Sequence, residues 1–121
     1  MVTAGVRRAV ERLYTGRCDI IDQQEMFDPE SGQTSFAEVV VASGQRCRLS
    51  YSYLTAAEPK DGAAKVKQTI KLFLAPETVV RAGARVAVTQ CGRTTEYKAA
   101  GEPAVYGSHQ EVVLELAGEY T

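Results

Sequence analysis

Apolar and polar positions recur with a helical period near the N-terminus and with a period of two over the rest of the chain. The apolar residues with helical spacing are Val2, Val6, Val10 and Leu13. They predict a short amphipathic helix over residues 2–13, with a stop signal at Gly16. A helix of about three turns is marginal in water, so we expect it to dock on its own domain or on a neighbouring subunit.

The period of two begins at Arg17 and predicts a series of strands. They are Arg17–Gln24, Ser35–Val41, Gln45–Tyr53, Lys65–Leu74, Arg85–Gln90, Arg93–Ala99 and His109–Leu116. Their connections are too short for crossover helices, so neighbouring strands must pair antiparallel. We therefore predict a mainly β protein with one domain over residues 1–121. Residues 17–116 are expected to form a small antiparallel β-barrel of about seven strands, because closure removes exposed sheet edges.

The alternation also predicts which side chains face the core. The inward positions of the third and last predicted strands are Cys47, Leu49, Tyr51, Tyr53, Val112, Leu114 and Leu116. The outward apolar positions are Ile21, Phe73 and Val113. Single exposed apolar residues are normal in soluble proteins. If these three cluster across neighbouring strands, a contact between subunits becomes the natural hypothesis.

Basic residues share the outward faces of two consecutive predicted strands: Arg46, Arg48, Lys65, Lys67 and Lys71. Three interpretations stay open for this face, namely a solvated surface, a patch complementary to an acidic protein, and a loose contact with DNA in a channel. A nucleic-acid surface would interleave basic and aromatic side chains. Tyr51 and Tyr53 are predicted on the opposite, core-directed face, so the stacking partners are missing.

Three connections differ in what they predict. Phe27–Thr34 is dense in turn formers and predicts a hairpin loop, and Ser43–Gly44 predicts a tight turn. Leu54–Ala64 has no period and contains Pro59 and Gly62. It is too long for a tight hairpin and predicts a long mobile loop, which is either functional or solvated decoration.

Composition places the chain among ordinary globular proteins. It has 121 residues, a formal net charge of −1, 45% hydrophobic and 24% charged residues. Such a balance gives no overall attraction to nucleic acid or to an anionic membrane. No apolar run reaches the roughly 18 residues that span a bilayer. Charges interrupt the N-terminal segment where a signal peptide would be apolar, so we expect a cytosolic protein without a membrane partner.

Candidate chemistry is sparse. The three cysteines, Cys18, Cys47 and Cys91, are widely spaced and form no metal-binding pair, and Cys18 and Cys47 are expected to be buried free thiols. His109 is the single histidine, and Glu111 would lie on the same strand face, an arrangement that alternation also produces by chance. Phosphate-binding glycine motifs are absent from the sequence. The expectation is a protein that is not an enzyme and uses no cofactor or metal.

A family resemblance is carried by the stretches LYTGRCDI, QRCRLSYS and KLFLAPETVVRAGARVAVTQCGRTTEYKAAGEPAVYGSHQEVVLEL. They resemble the small head-closure and head–tail joining proteins, connector and stopper-like, of tailed bacteriophages. The versions common in prophages of Gram-positive bacteria are the most similar. The likeness covers Leu13 to Leu116 and lies mainly in the order of its pieces.

The resemblance implies a small barrel that assembles as a ring beneath the portal, in the virion neck between capsid and tail. Its expected partners are itself after assembly, portal or adaptor proteins, tail proteins, and DNA in the channel. Before assembly it would be a monomer in the cytoplasm of the bacterial host. The alternative is a small β-barrel binding module for a protein or for single-stranded nucleic acid.

Candidate interaction residues follow from the loops and from the outward apolar positions. In related stoppers a long loop reaches the central channel and helps retain DNA, and the matching candidates are Leu54, Ala57, Glu58, Pro59, Lys60, Asp61 and Gly62. The hairpin loop adds Phe27 and Asp28, and the outward positions add Ile21 and Phe73. Assembly contacts would order these loops at an entropic cost that the interface must exceed.

Overall fold

Seven antiparallel strands and one short helix make up the fold. The computed structural model describes residues 4–55 and 66–117. The elements are α1 (Ala4–Glu11), β1 (Gly16–Asp28), β2 (Gln33–Thr55), β3 (Val66–Leu74), β4 (Arg85–Gln90), β5 (Arg93–Ala99), β6 (Ala104–Val105) and β7 (Gln110–Leu116). The mainly β class, the antiparallel sheet and the short N-terminal helix are thus confirmed.

Strand pairing links the two ends of the sheet. The strand order is β3-β2-β1-β4-β5-β7-β6, and β3 pairs in addition with β7. In that last pairing Ile70–Leu74 lies along Gln110–Leu114. Six strands therefore form a cycle of pairings, with the short β6 added on β7. In this cycle β1 and β7 are three steps apart in either direction.

The core takes one face of six strands. Its buried side chains are Cys18, Ile20, Cys47, Leu49, Ile70, Leu72, Leu74, Val86, Val88, Tyr97, Ala99, Val112 and Leu114, with Val80 and Ala84 from the segment between β3 and β4. Cys18 and Cys47 are free and buried, as predicted. A hydrogen bond to the Cys47 thiol, and then burial, raise the pKa of Cys18. The Cys18 thiol therefore stays protonated, and both buried cysteines pack as small apolar groups.

A buried glutamine fixes the segment that joins β3 to β4. Gln110 is 1% exposed. Its Nε2 donates hydrogen bonds to the carbonyl oxygen of Ala75, at 2.8 Å, and to that of Thr78. Gln110 shares its strand face with Val112 and Leu114, so its inward position was visible in the sequence. Its role in bridging Ala75 and Thr78 could not be predicted from the sequence, because these residues are more than 30 positions away.

Two predicted boundaries around β1 and β2 are wrong. The loop expected at Phe27–Thr34 is a turn over residues 29–32, because Phe27 and Asp28 extend β1 and Gln33 and Thr34 begin β2. The turn expected at Ser43–Gly44 lies inside β2, which runs without interruption for 23 residues.

A bulge replaces the predicted turn at Ser43–Gly44. The Asp19 carboxylate accepts hydrogen bonds from the Gly44 amide, at 2.8 Å, and from the Ser43 hydroxyl, at 3.3 Å. Gly44 has a φ of 62°, which a residue without a Cβ adopts at little cost. The register shifts in the same region, between Cys18 and Ile21. The glycine therefore bends a continuous strand rather than reversing it.

Three predicted core positions are exposed instead. Tyr51, Tyr53 and Leu116 alternate in step with the core-facing residues of their strands, but all three side chains are exposed to solvent. They sit where β2 and β7 run past the buried layer. The Tyr51 hydroxyl still reaches the Tyr97 hydroxyl at 3.4 Å, which marks the end of the core. The alternation of inward and outward positions thus predicted the direction of these side chains correctly, but their burial wrongly.

The helix is shorter than predicted and docks on its own chain. α1 ends at Glu11 rather than at Leu13, and residues 12 and 13 form a turn. Arg7 binds the Glu77 carboxylate through two hydrogen bonds of 2.7 and 2.6 Å and also binds Glu11. Arg46 donates a hydrogen bond to the Glu11 carbonyl at the end of the helix. Surface ion pairs of this kind give orientation more than stability.

Candidate interaction surface

The outer parts of β1 and β2 project from the domain as a two-stranded hairpin. β4 pairs with β1 only from Arg17 to Ile21, and β3 pairs with β2 only from Cys47 onward. Within the sheet, residues 22–28 of β1 therefore pair only with residues 33–39 of β2, and we call residues 22–41 the projecting hairpin. Seven residues of β1 in this part extend about 20 Å. Every residue from Gln23 to Glu38 is exposed.

Large apolar side chains cover this hairpin although it has no core of its own. Phe27 is 64% and Phe36 66% exposed, and Met26, Val40 and Val41 are also exposed. Burying one such side chain contributes about 1.5–3 kcal/mol. Phe27 and Phe36 share one face of the hairpin and Met26 lies on the other. Exposed apolar side chains of this size on one face indicate a contact surface. Phe27 was a predicted interaction residue. Met26 was missed because its strand was expected to end at Gln24, and Phe36 was missed because its strand was expected to be part of the barrel.

The projecting hairpin and its base are uniformly acidic. From Asp19 to Gln45 the sequence contains no lysine or arginine. Its carboxylates are Asp19, Asp22, Glu25, Asp28, Glu30 and Glu38. This segment carries a formal charge of −6, while the whole chain carries −1. A surface with this charge favours a cationic partner and repels nucleic acid.

Two arginines hold the base of the hairpin. Arg85 on β4 binds Glu38 on β2, and it binds Glu96 on β5 at 2.6 Å. Hydrogen bonds from these carboxylates, Glu38 first, raise the pKa of the Arg85 guanidinium. Arg81 lies 3.8 Å from Asp22. The direction of the hairpin is thus set by contacts to the strands beneath it.

An open cleft lies between the hairpin base and the segment that joins β3 to β4. Its volume is about 960 Å³. Its apolar lining comes from Phe36, Val41 and Val79, and its charged lining includes Asp22, Glu25, Glu77 and Arg81. The cleft extends the same mixture of apolar and acidic groups from the hairpin to the domain.

The tip of the hairpin is closed by a side chain that was predicted to be an interaction residue. The Asp28 carboxylate accepts hydrogen bonds from the Glu30 amide, at 2.9 Å, and from the Ser31 hydroxyl, at 3.0 Å. These bonds lower the pKa of Asp28. Gly32 completes the turn with a φ of 72°. Asp28 therefore shapes the turn, and its carboxylate is already occupied.

An exposed group of arginines lies at the foot of the same two strands. Arg17 on β1 stands directly opposite Arg46 on β2, and Arg48 follows two residues along. We call these three residues the arginine surface. None of them lies within 4.0 Å of a carboxylate in the part of the chain that the structure describes. Phe73, the direct partner of Arg48, is half-buried beside them.

The rest of the predicted basic face is only partly visible. Lys71 lies 3.6 Å from Glu111 and so has an acidic neighbour. Lys65 and the side chain of Lys67 lie outside the described residues. Tyr51 and Tyr53 point away from Arg46 and Arg48, since adjacent residues of a strand face opposite sides. The separation of basic and aromatic side chains was predicted, although these tyrosines are exposed.

His109 belongs to a cluster that ties the connection after β6 to β7. Its Nδ1 lies 2.9 Å from the Ser108 hydroxyl and its Nε2 lies 3.0 Å from Glu111. The ring stacks on Tyr106 with a centroid distance of 5.0 Å and also contacts Phe73. These are the groups of a nucleophile, a base and an acid. Ser108 is a buried residue, however, whereas a nucleophile must be accessible to its substrate.

Acid stability should depend on Glu111. The hydrogen bond from His109 first, and then the charges of Lys71 and His109, lower the pKa of this carboxyl. A carboxyl with a lowered pKa in the folded state stabilises the protein above its unfolded pKa of about 4.3, and this contribution is lost as the pH falls through the folded value. We expect Glu111→Gln to lose less stability than the wild type between about pH 6 and pH 3. Urea unfolding at a series of pH values measures this difference.

The control for that measurement is Glu102→Gln, at an exposed carboxylate for which the described residues show no ion pair. Its pH dependence should match that of the wild type. An identical pH dependence for Glu111→Gln and the wild type would contradict the role given to Glu111.

The other predicted interaction residues are scattered. Ile21 is half-buried on β1, two strands away from Phe73. Phe73 and the exposed Val113 lie on neighbouring strands as diagonal neighbours, since Phe73 is opposite Glu111 and Val113 is opposite Lys71. The side chain of Leu54 and the residues Ala57, Glu58, Pro59, Lys60, Asp61 and Gly62 lie outside the described part. β2 itself continues through Leu54 and Thr55, where the long loop was expected to begin.

No group of three or more histidine, cysteine, aspartate or glutamate side chains among the described residues is placed to hold a metal ion. No helix in the described ranges has the length and apolar character needed to cross a membrane.

The fold and the surface together define a small antiparallel β protein with one projecting acidic hairpin. The chain belongs to DUF6093, a family of unknown function whose match covers residues 6–113. Its fold is similar to that of the phage-like element PBSX protein xkdH from Bacillus subtilis, with 12% sequence identity and a TM-score of 0.53. The similarity covers 84% of this chain and 92% of that one. A comparison with curated proteins finds no match.

Proposed function

We propose that this chain is a structural component of a phage or prophage neck. In this proposal it is a ring-forming head-closure or head–tail joining protein that connects portal and tail. The projecting hairpin is the observation that carries the proposal. Large exposed apolar side chains lower the solubility of a monomer. Assembly buries them in an interface, which is energetically favourable.

Two further observations support a place in an assembly. We interpret the cycle of six paired strands as a small barrel, which leaves the hairpin as the main exposed sheet edge. A ring protein needs two different surfaces that meet head to tail. The hairpin and the arginine surface are different in shape and opposite in charge. The fold it shares with a phage-like element protein is in keeping with such a role.

The remaining features of the proposal follow from the sequence resemblance. They are portal or adaptor proteins and tail proteins as partners, DNA in the channel near Leu54–Ala64, and a location in the virion neck after a stage in the host cytoplasm. No catalytic step is proposed. The His109 cluster acts as a structural tie, because Ser108 is a buried residue.

Genomic position and particle composition test the proposal. We expect the gene to lie between portal or capsid genes and tail genes, and mass spectrometry of purified particles to find the chain in stoichiometric amounts. A gene far from any phage cluster, or particles that lack the chain, would overturn the proposal.

Exposed tyrosines favour a second candidate function, a small module that binds single-stranded nucleic acid. Tyr53 is 65% exposed, and base stacking on an aromatic ring contributes about 1–3 kcal/mol per base. The test is fluorescence anisotropy with a labelled oligonucleotide. This candidate requires that Tyr53→Ala weakens binding about tenfold or more. Equal binding by the variant and the wild type would remove it.

A further inference from the structure

We propose that the projecting hairpin of one copy docks on the arginine surface of a second copy of this chain. This inference rests on the proposed function in one respect, since it names the lateral contact of the proposed ring. The contact itself is argued from charge, geometry and exposed side chains.

The hairpin presents the chemistry that arginine binds best. Glu25 stands directly opposite Phe36, and Phe27 lies two residues along on the same face. Glu25 and Glu30 lie more than 4.0 Å from every lysine and arginine in the part of the chain described. A guanidinium can bind a carboxylate in bidentate fashion and can also stack on an aromatic ring. One face of the hairpin therefore offers both kinds of contact.

The arginine surface has no acidic partner in the described part of the chain, although its arginines lie close together. Arg17 and Arg46 are directly opposite each other across β1 and β2, and like charges in this position destabilise a sheet. Within residues 4–55 and 66–117, the side chains of Arg46 and Arg17 donate hydrogen bonds only to backbone carbonyls, those of Glu11 and Gly44. An acidic surface laid over these residues would remove the repulsion. Phe73 beside Arg48 adds an apolar contact for the hairpin phenylalanines.

The hairpin of the same copy cannot supply that partner. The hairpin and the arginine surface are two ends of the same pair of strands, β1 and β2. Ten residues separate Arg17 from Phe27, which places the hairpin tip about 30 Å from the arginines. Apart from the bulge near Ile20, the two strands stay paired from Arg17 to Phe27, so the hairpin tip cannot fold back over this distance. The contact must therefore come from another molecule.

A second copy provides a partner of opposite charge for both the hairpin and the arginine surface, whereas nucleic acid provides one for the arginine surface alone. An oligonucleotide would neutralise the arginines and would leave the acidic hairpin both exposed and repelled. The exposed tyrosines also lie on the wrong face to stack bases beside Arg46 and Arg48. Since each copy has one hairpin and one arginine surface, contacts between copies can continue from molecule to molecule.

Charge reversal on the full chain tests the contact. Variant one carries Glu25→Lys and Glu30→Lys, and variant two carries Arg17→Glu and Arg48→Glu. Arg46 is left unchanged because it binds the helix. Sedimentation velocity is recorded over a concentration series at about 0.01 M salt, where the Debye length is roughly 30 Å, and again at about 1 M.

We expect the wild type to self-associate at high concentration in low salt and to dissociate in high salt. Each variant alone should associate at least about tenfold more weakly, which corresponds to the loss of about 1.4 kcal/mol. An equimolar mixture of the two variants should associate again. In the mixture, the unchanged hairpin of variant two meets the unchanged arginine surface of variant one, and the two introduced lysines of variant one can bind the two introduced glutamates of variant two.

Two control variants carry the same changes of charge elsewhere. They are Glu102→Lys with Glu115→Lys, and Arg93→Glu with Lys98→Glu, all at exposed positions. Both should associate as the wild type does. Unfolding by urea checks that all variants fold.

Several results would overturn the inference: a wild type that stays monomeric at every concentration in low salt, variants that associate normally, or a mixture that does not recover. Weaker binding of a single-stranded oligonucleotide by variant two, with unchanged self-association, would also overturn it in favour of nucleic acid. Particles that incorporate both variants normally would refute this contact and still support the proposed function.

Discussion

Removing the outer part of the hairpin is expected to abolish assembly while the domain keeps its stability. The variant replaces residues 24–37 with Asn-Gly, a two-residue turn that antiparallel strands favour. It joins Gln23 to Glu38, which are direct partners across the two strands. The ion pairs of Glu38 and Asp22 with Arg85 and Arg81 remain. Because every deleted residue is exposed, the free energy of unfolding should change by less than about 1 kcal/mol.

The expected loss is in assembly, since the deletion removes Met26, Phe27 and Phe36 together. Central aromatic contacts often contribute 2 kcal/mol or more each, so incorporation into particles should fall by at least about tenfold. Quantitative mass spectrometry of purified particles measures incorporation, and urea unfolding measures stability.

The control for the deletion is Gln24→Thr with Gln33→Thr, which keeps the hairpin and its apolar side chains. This variant should assemble normally. Normal incorporation of the shortened chain would refute a role for the hairpin in assembly. A large loss of stability would instead show that the hairpin packs on the domain.

Local sequence was sufficient to predict the strands that pair through tight turns. β4 and β5 begin and end at the predicted residues. The two residues between them, Cys91 and Gly92, both have positive φ values, 54° and 75°. A turn with two positive φ angles matches the twist of a hairpin, and glycine favours it. The information for this hairpin is contained within a few neighbouring residues.

The projecting hairpin could not be predicted from the same signals. Turn formers in Phe27–Thr34 predict a loop, but the register of β1 and β2 decides how far the pairing continues. The turn expected at Ser43–Gly44 is absent because Asp19, 25 residues away, binds the Gly44 amide. Both errors have one cause, since long-range pairing overrides local turn preference.

The candidate interaction surface also combines features that local sequence predicts with features that depend on long-range strand pairing. Arg46 and Arg48 were predicted on an outward face, and this placement is correct. The addition of Arg17 depends on the register that sets it opposite Arg46. The acidic run around the hairpin is plain in the sequence, but its meaning depends on knowing that these residues project into solvent. Alternation gives the direction of a side chain, and only the fold gives its neighbours.

Loss of the Gln110 side chain is expected to destabilise the domain strongly. Gln110→Ala would leave a cavity and would remove the donor of two carbonyl groups, those of Ala75 and Thr78. The Ala75 carbonyl would still accept a hydrogen bond from the Thr78 amide, at 3.2 Å, so the Thr78 carbonyl is the group that loses its donor. An unsatisfied polar group costs about 1–3 kcal/mol, and the lost packing adds to it, so we expect a loss of about 3 kcal/mol. Gln68→Ala is the control, at an exposed glutamine, and should change stability by less than about 0.5 kcal/mol.

A second substitution distinguishes the hydrogen bonds of Gln110 from its volume. Gln110→Glu keeps the size of the side chain but places an acceptor against two carbonyl oxygens, so only the protonated carboxyl can donate. Burial and these carbonyls would raise the pKa of the introduced carboxyl. The stability of this variant should therefore fall as the pH rises above about 4.3, by up to about 1.4 kcal/mol per pH unit, until the raised pKa is passed. Urea unfolding of the variant and the wild type at matched pH values measures this slope. If both proteins show the same slope, the Gln110 amide does not hold the segment between β3 and β4, and its hydrogen bonds add little to the packing around it.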